Sequence, residues 1–109
     1  MSHTDVTMVR VYLTEREGHL KTLMNDLHDR HKVRGVTVFR GIAGFGKTGV
    51  IHGSSLVDLA LDLPLVLEFF DLPEAAAEAV AWLNTQVGPG CIVSWPARVS
   101  CDLDKDAGS

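Results

Sequence analysis

The order of signals along this 109-residue chain predicts an α+β fold, a ferredoxin-like β-α-β-β-α-β unit with a four-stranded antiparallel sheet. Three observations predict it. Four segments have strand composition, two carry apolar residues at helical spacing, and each helical segment lies between two strands. In such a unit both helices cover one face of the sheet and leave the other bare. The length suits one domain, 1–109, whose polar tail from about Asp102 to Ser109 is expected to be disordered.

The first strand is read over residues 6–13, where Val9, Val11 and Leu13 alternate with Met8, Arg10 and Tyr12. Leu20, Leu23, Met24 and Leu27 then fall at i, i+3, i+4 and i+7, the stripe of an amphipathic helix over roughly 17–31 that stops before Gly35. Residues 35–40, Gly-Val-Thr-Val-Phe-Arg, are β-branched and aromatic and form the second strand. Five glycines follow within 41–55, which marks a long loop or flexible hairpin.

The third strand is read over Leu65 to Phe70, after Asp62-Leu63-Pro64. Asp71 with Glu74 predicts a capping box, with Pro73 in the first helical turn. Ala76, Ala79, Val80, Leu83 and Val87 repeat at helical spacing until Gly88-Pro89-Gly90. Ile92 to Val99 is the last strand, and Pro96 assigns it to a sheet edge because proline cannot donate to a ladder. Each helix is expected to join parallel neighbours. The bare face carries Met8, Tyr12 and phenylalanine, so a contact between copies is expected there.

Composition excludes several classes of function. A net charge of −4 gives no basic face for nucleic acid. No apolar run approaches the length of a membrane span, and Met1-Ser-His-Thr-Asp has no leader character, so a cytoplasmic protein without membrane insertion is expected. Cys91 and Cys101 flank the last strand, roughly 30 Å apart at strand rise, so they read as two idle thiols.

Residues 41 to 48, Gly-Ile-Ala-Gly-Phe-Gly-Lys-Thr, match the phosphate-cradling pattern G-x-x-x-x-G-K-[ST] letter for letter. In that pattern backbone N–H groups and the lysine hold phosphates, and the hydroxyl holds Mg²⁺. It works only between a buried parallel strand and a helix aimed at the phosphate. Here Thr48 is followed by Gly-Val-Ile-His-Gly-Ser-Ser, a poor first helical turn, and the carboxylate of Asp71 reads as a helix cap. A small P-loop-type NTPase using Gly41 to Thr48 therefore stands as an alternative, as does a ferredoxin-like enzyme with its pocket on the bare face.

A longer signature surrounds that string. Gly35-Val-Thr-Val-Phe-Arg-Gly-Ile-Ala-Gly-Phe-Gly-Lys, then Ile51-His52, then Asp62-Leu63-Pro64 resembles the domain of unknown function 190 (DUF190), a family related in fold to the PII signalling proteins. Tyr12-Leu13 and Glu15 are similar to the family's opening strand, and the resemblance extends over about residues 8–100. It implies a PII-like signalling protein without enzymatic activity, a homotrimer with ligand clefts between subunits. It also implies a small anionic effector, an adenine nucleotide being the first choice, and a partner such as a transporter or channel met by loop 41–55.

The candidate ligand-binding residues are Arg40, Gly41, Gly44, Phe45, Gly46, Lys47 and His52. Arg40 and Lys47 are cations around exposed backbone N–H groups, a combination suited to an anion. Phe45 can stack on a base or plug an interface, and His52 can hydrogen-bond a ligand or titrate near neutral pH. Arg98 is placed near a cleft by fold analogy alone. His28 and His31 lack a third ligand and read as a solvated helix end, so no metal is expected. No Ser-His-Asp or Cys-His arrangement is legible, and no catalytic residue is assigned.

Overall fold

The computed structural model describes residues 2–14, 19–44, 52–53 and 63–103. Its elements are β1 (Thr4–Thr14), α1 (Leu20–Asp29), β2 (Val36–Arg40), β3 (Ala43–Gly44), β4 (His52–Gly53), β5 (Pro64–Asp71), α2 (Pro73–Leu83) and β6 (Ile92–Val99). The four long strands form one sheet in the order β2-β5-β1-β6, and β3 pairs with β4 in a two-residue ladder of its own. This is the expected β-α-β-β-α-β arrangement with a small hairpin inserted between the second and third strands of the sheet.

All hydrogen-bonded neighbours in the main sheet are antiparallel. The helices therefore join strands that are parallel but not adjacent, which corrects the expected parallel neighbours. β5 lies between β1 and β2, and β1 lies between β5 and β6. Splitting each β-α-β unit in this way gives every strand an antiparallel partner with perpendicular hydrogen bonds. β2 and β6 are the edges, so Pro96 sits where a missing N–H is tolerated.

Register sorts the side chains into two faces. Val9, Val11 and Leu13 of β1 and Leu65, Leu67 and Phe69 of β5 pack with Leu23 and Leu27 of α1 and Ala76, Ala79 and Leu83 of α2 in a single buried core. Val36 and Val38 of β2 and Ile92 of β6 border it. The small alanines let α2 lie close over β1 and β5. Met24, read from the sequence as part of the α1 stripe, is instead exposed.

The helix ends depart from expectation. α1 starts at Leu20 with His19 as an uncapped N-cap; the expected start at 17 lies outside the described residues. It ends at Asp29 with Arg30 as C-cap, and Lys32 then takes a left-handed φ of 52°, with the Val33 N–H bonding Leu27 O at 3.1 Å. α2 ends at Leu83, but Asn84 to Val87 continue in tighter turns, Thr85 N–H bonding Trp82 O at 2.9 Å and Gln86 N–H bonding Leu83 O at 2.9 Å.

The capping box does not form: the N-cap of α2 is Leu72, and Asp71 remains the last residue of β5. Its carboxylate accepts a bond from the Leu72 N–H at 2.8 Å and faces Arg34 Nε at 3.7 Å. A nearly buried carboxylate at this position is better compensated by a guanidinium than by one more backbone N–H.

Candidate functional site

The loop that carries the phosphate-like string is anchored on one glycine. At the end of β2 the chain passes against the start of β5, and the Gly41 N–H bonds Pro64 O at 2.7 Å. A Cβ on Gly41 would lie 2.6 Å from Pro64 Cγ, so glycine is required there by a close backbone approach. Two residues on, Ala43 pairs with Gly53 and Gly44 with His52. The hairpin base thus collects Arg40, Gly41, Gly44 and His52 from both ends of the segment. Phe45, Gly46 and Lys47 lie outside the described residues.

This base bears on the Walker pattern. A phosphate-binding helix that opened at Gly46 or Lys47 would still be running at residues 52 and 53. His52 and Gly53 are instead in an antiparallel ladder with Ala43 and Gly44. That ladder leaves no room for a helix of ordinary length after Lys47 and counts against the strand-loop-helix setting the pattern requires.

The second notable surface is the sheet face opposite the helices. Its rows can be read across the strands from the ladder register. Phe39, Val66 and Tyr12 form one row, then Thr37, Glu68, Arg10 and Val93, then Phe70, Met8 and Trp95. Phe39 is 50% exposed, Val93 47% and Tyr12 45%. Large apolar side chains left this open on one contiguous face mark an interaction surface.

The middle row is polar. Arg10 donates from Nε at 3.0 Å and from Nη2 at 2.6 Å to the same oxygen, Glu68 Oε1. Its guanidinium carbon lies 5.4 Å from the centre of the Trp95 ring, within cation–π range. Glu68 first and Tyr12 second, by hydrogen bonding, hold the Arg10 guanidinium above its ordinary pKa. Sequence reading placed Arg10 on this face but did not find its partner. The parity of β5 puts Glu68 on the same face, yet only the register sets the two side by side.

One end of this face is covered by the C-terminal segment. The Thr4 hydroxyl donates to Cys101 O at 2.8 Å and accepts from the Leu103 N–H at 3.0 Å. Leu103 is 6% exposed and Val6 1%, although neither belongs to the main core. Thr4 and Val6 share the parity of Met8, so the strap lies over the open face. The segment expected to fray from Asp102 is held in place through Leu103; residues 104–109 lie outside the described residues.

The remaining candidates separate. Arg98 is exposed and lies 4.0 Å from the exposed Asp5. His28 Nδ1 lies 2.7 Å from Asp29 Oδ1 on the helix surface, whereas the His31 ring packs against Trp82 with centroids 5.0 Å apart. Among the described residues no three His, Cys, Asp or Glu side chains converge as metal ligands. Neither Cys91 nor Cys101 is in a disulfide. No helix among the described residues is long and apolar enough to cross a membrane.

Comparison with known proteins agrees with this geometry. The model of the family DUF190, described as "Uncharacterized ACR", matches residues 6–99. Two curated relatives, both called UPF0166 protein and both from Aquifex aeolicus, were found. One is 39% identical over 71 residues, 62% of this chain and 68% of that protein. The other is 36% identical over 61 residues, 56% of this chain and 62% of that protein.

Among solved structures, CPII from Thiomonas intermedia bound to ADP and bicarbonate superposes with a TM-score of 0.65 at 17% identity, covering 90% of this chain and 91% of CPII. A PII-like signalling protein from Thermus thermophilus gives 0.64 at 19%, with 91% of each chain covered. The divalent ion tolerance protein CutA1 from Ehrlichia chaffeensis gives 0.61 at 10%, covering 94% of this chain and 89% of CutA1.

Proposed function

The chain belongs to the DUF190 family and has the PII-like fold, and from that premise we propose that it is a regulatory protein rather than an enzyme. In this reading three copies pack through the open sheet faces. An adenine nucleotide or similar small anion sits in the clefts between them, and loop 41–55 meets a partner such as a transporter or channel. The observation that carries the reading is the hairpin base. Gly41 is clamped to Pro64, and Gly44 is paired with His52, which brings the two ends of the glycine-rich segment together beside the edge strand β2. CPII, with the same fold, is known bound to ADP and to ADP with AMP.

Arg40, Gly41, Gly44, Phe45, Gly46, Lys47 and His52 are the proposed ligand contacts. The glycine N–H groups and two cations supply charge-assisted bonds to phosphate, and Phe45 supplies a stacking surface. The test is calorimetric titration of the purified protein with ATP, ADP, AMP and a cyclic nucleotide, with and without bicarbonate, alongside its mass by light scattering. Saturable binding of at least one nucleotide, weakened about tenfold or more by Lys47→Ala through loss of a charged hydrogen bond, is the expected result. A well-folded trimer that binds none of them would remove the nucleotide. Mg²⁺-dependent phosphate release abolished by Lys47→Ala would instead revive the NTPase alternative.

A further inference from the structure

An apolar docking surface does not need an ion pair at its centre, yet the open face has one. The Arg10–Glu68 row lies between two apolar rows, Phe39-Val66-Tyr12 on one side and Phe70-Met8-Trp95 on the other. A partner that buries both apolar rows must also cover the charges between them. The Arg10 and Glu68 side chains are 38% and 19% exposed, so both still present charge to whatever docks.

We propose that the Arg10–Glu68 pair selects the partner of the open face, admitting a second copy of this chain and rejecting other apolar surfaces. The inference rests on the self-association proposed above and names what makes it specific. The occupant follows from charge complementarity. The row offers a positive and a negative group side by side, so in a ring of three each copy can set its Arg10 against the Glu68 of the next copy and its Glu68 against the Arg10 of the one before.

Geometry leaves capacity for this. A guanidinium has five N–H donors, and the two bonds to Glu68 both fall on Oε1. The pair is also held in place before docking, by a doubled hydrogen bond and by the Trp95 ring beneath it. Little side-chain freedom is then lost on assembly. A foreign apolar partner strips water from the pair and returns no hydrogen bonds, which is unfavourable. Polar groups of this kind fix register and partner in helical assemblies at some cost in raw affinity.

Charge exchange tests the proposal. Arg10→Glu with Glu68→Arg keeps an internal pair but reverses its polarity. Folding of the double variant is checked by circular dichroism, and its own assembly by native mass spectrometry. It is then mixed with isotopically labelled wild-type protein under conditions of subunit exchange. Random mixing of trimers would put roughly three quarters of them in mixed species. The expected result is depletion of mixed species by tenfold or more, because mixed contacts oppose Arg to Arg and Glu to Glu.

A second variant, Glu68→Gln, is expected to weaken wild-type assembly at least tenfold while the monomer stays folded. Random mixing, or an unchanged Glu68→Gln assembly, would overturn the proposal and leave self-association standing. A wild-type protein that is monomeric at all concentrations would overturn both.

Discussion

The two faces of the sheet are made by the same strands and filled to very different degrees. On the helix side, Val9, Val11 and Leu67 have no exposed surface at all. On the open side their immediate sequence neighbours Met8, Arg10, Tyr12, Val66 and Glu68 are partly or largely exposed. Both sides carry large apolar side chains, so hydrophobicity alone does not distinguish the face that the helices cover from the face they leave open. Two other features do. The core of the helix side is closed by apolar side chains, with its one buried carboxylate, Asp71, at the end of β5, whereas the open side keeps a charged row between its apolar rows.

Truncation on each face is the strongest way to break this comparison. Leu67→Ala removes a fully buried side chain from the core that both helices share, and should cost about 3 kcal/mol. Phe39→Ala removes a larger side chain, but one that is half exposed. In dilute protein, where association is absent, it should cost about 1 kcal/mol or less. At high concentration the order should narrow, because assembly adds to apparent stability. Urea unfolding of both variants at two concentrations measures this. An equal loss in dilute protein would mean that the Phe39 row already serves the single chain.

Gly41 sharpens the comparison at the point where the sheet meets the loop. Gly41→Ala puts a Cβ 2.6 Å from Pro64 Cγ, while at Gly88 an added Cβ meets nothing within 4 Å. The expected costs are about 1–2 kcal/mol for Gly41→Ala and within about 0.5 kcal/mol of zero for Gly88→Ala. Thermal unfolding of the two variants compares them directly. If Gly41→Ala is as silent as Gly88→Ala, the clamp at Pro64 gives way easily and the glycine is there for the loop rather than the fold.

Much of this fold was legible in the sequence where local chemistry and tertiary packing agree. Ile92 to Val99 is a strand over the residues expected, because Gly88-Pro89-Gly90 isolates it and Pro96 assigns it to an edge. The parity of β1 was also legible, since Val9, Val11 and Leu13 alternate with polar or amphipathic residues. Errors gathered where one residue type serves two purposes. Asp71 has the composition of a cap but lies within reach of Arg34, which no local pattern reveals. Val87 keeps helical spacing beyond the end of α2, because the tighter turns still hold it against the core.

The candidate site was legible as a segment and not as a geometry. The glycines of 41–55 announce a loop, but that Gly41 closes on Pro64 and that Gly44 faces His52 depend on contacts between distant parts of the chain. The Arg10–Glu68 pair is likewise invisible without register, as the two residues lie 58 positions apart.

A smaller and local loss is expected where the C-terminal segment covers one end of the open face. Thr4→Val keeps the shape of the side chain and removes both the bond donated to Cys101 O and the bond accepted from the Leu103 N–H. The loss should be about 1 kcal/mol, the net worth of such bonds once water replaces them. It should be local, since the strap stands apart from the main core and can open without unfolding the sheet.

Hydrogen exchange therefore reads it better than a melting curve. The Leu103 amide should exchange several-fold faster in Thr4→Val, while amides in β1 and β5 keep their rates. An unchanged Leu103 amide would mean that burial of its side chain, not the Thr4 hydroxyl, holds the strap in place. A faster one would show that the Thr4 hydroxyl holds the strap across this end of the open face.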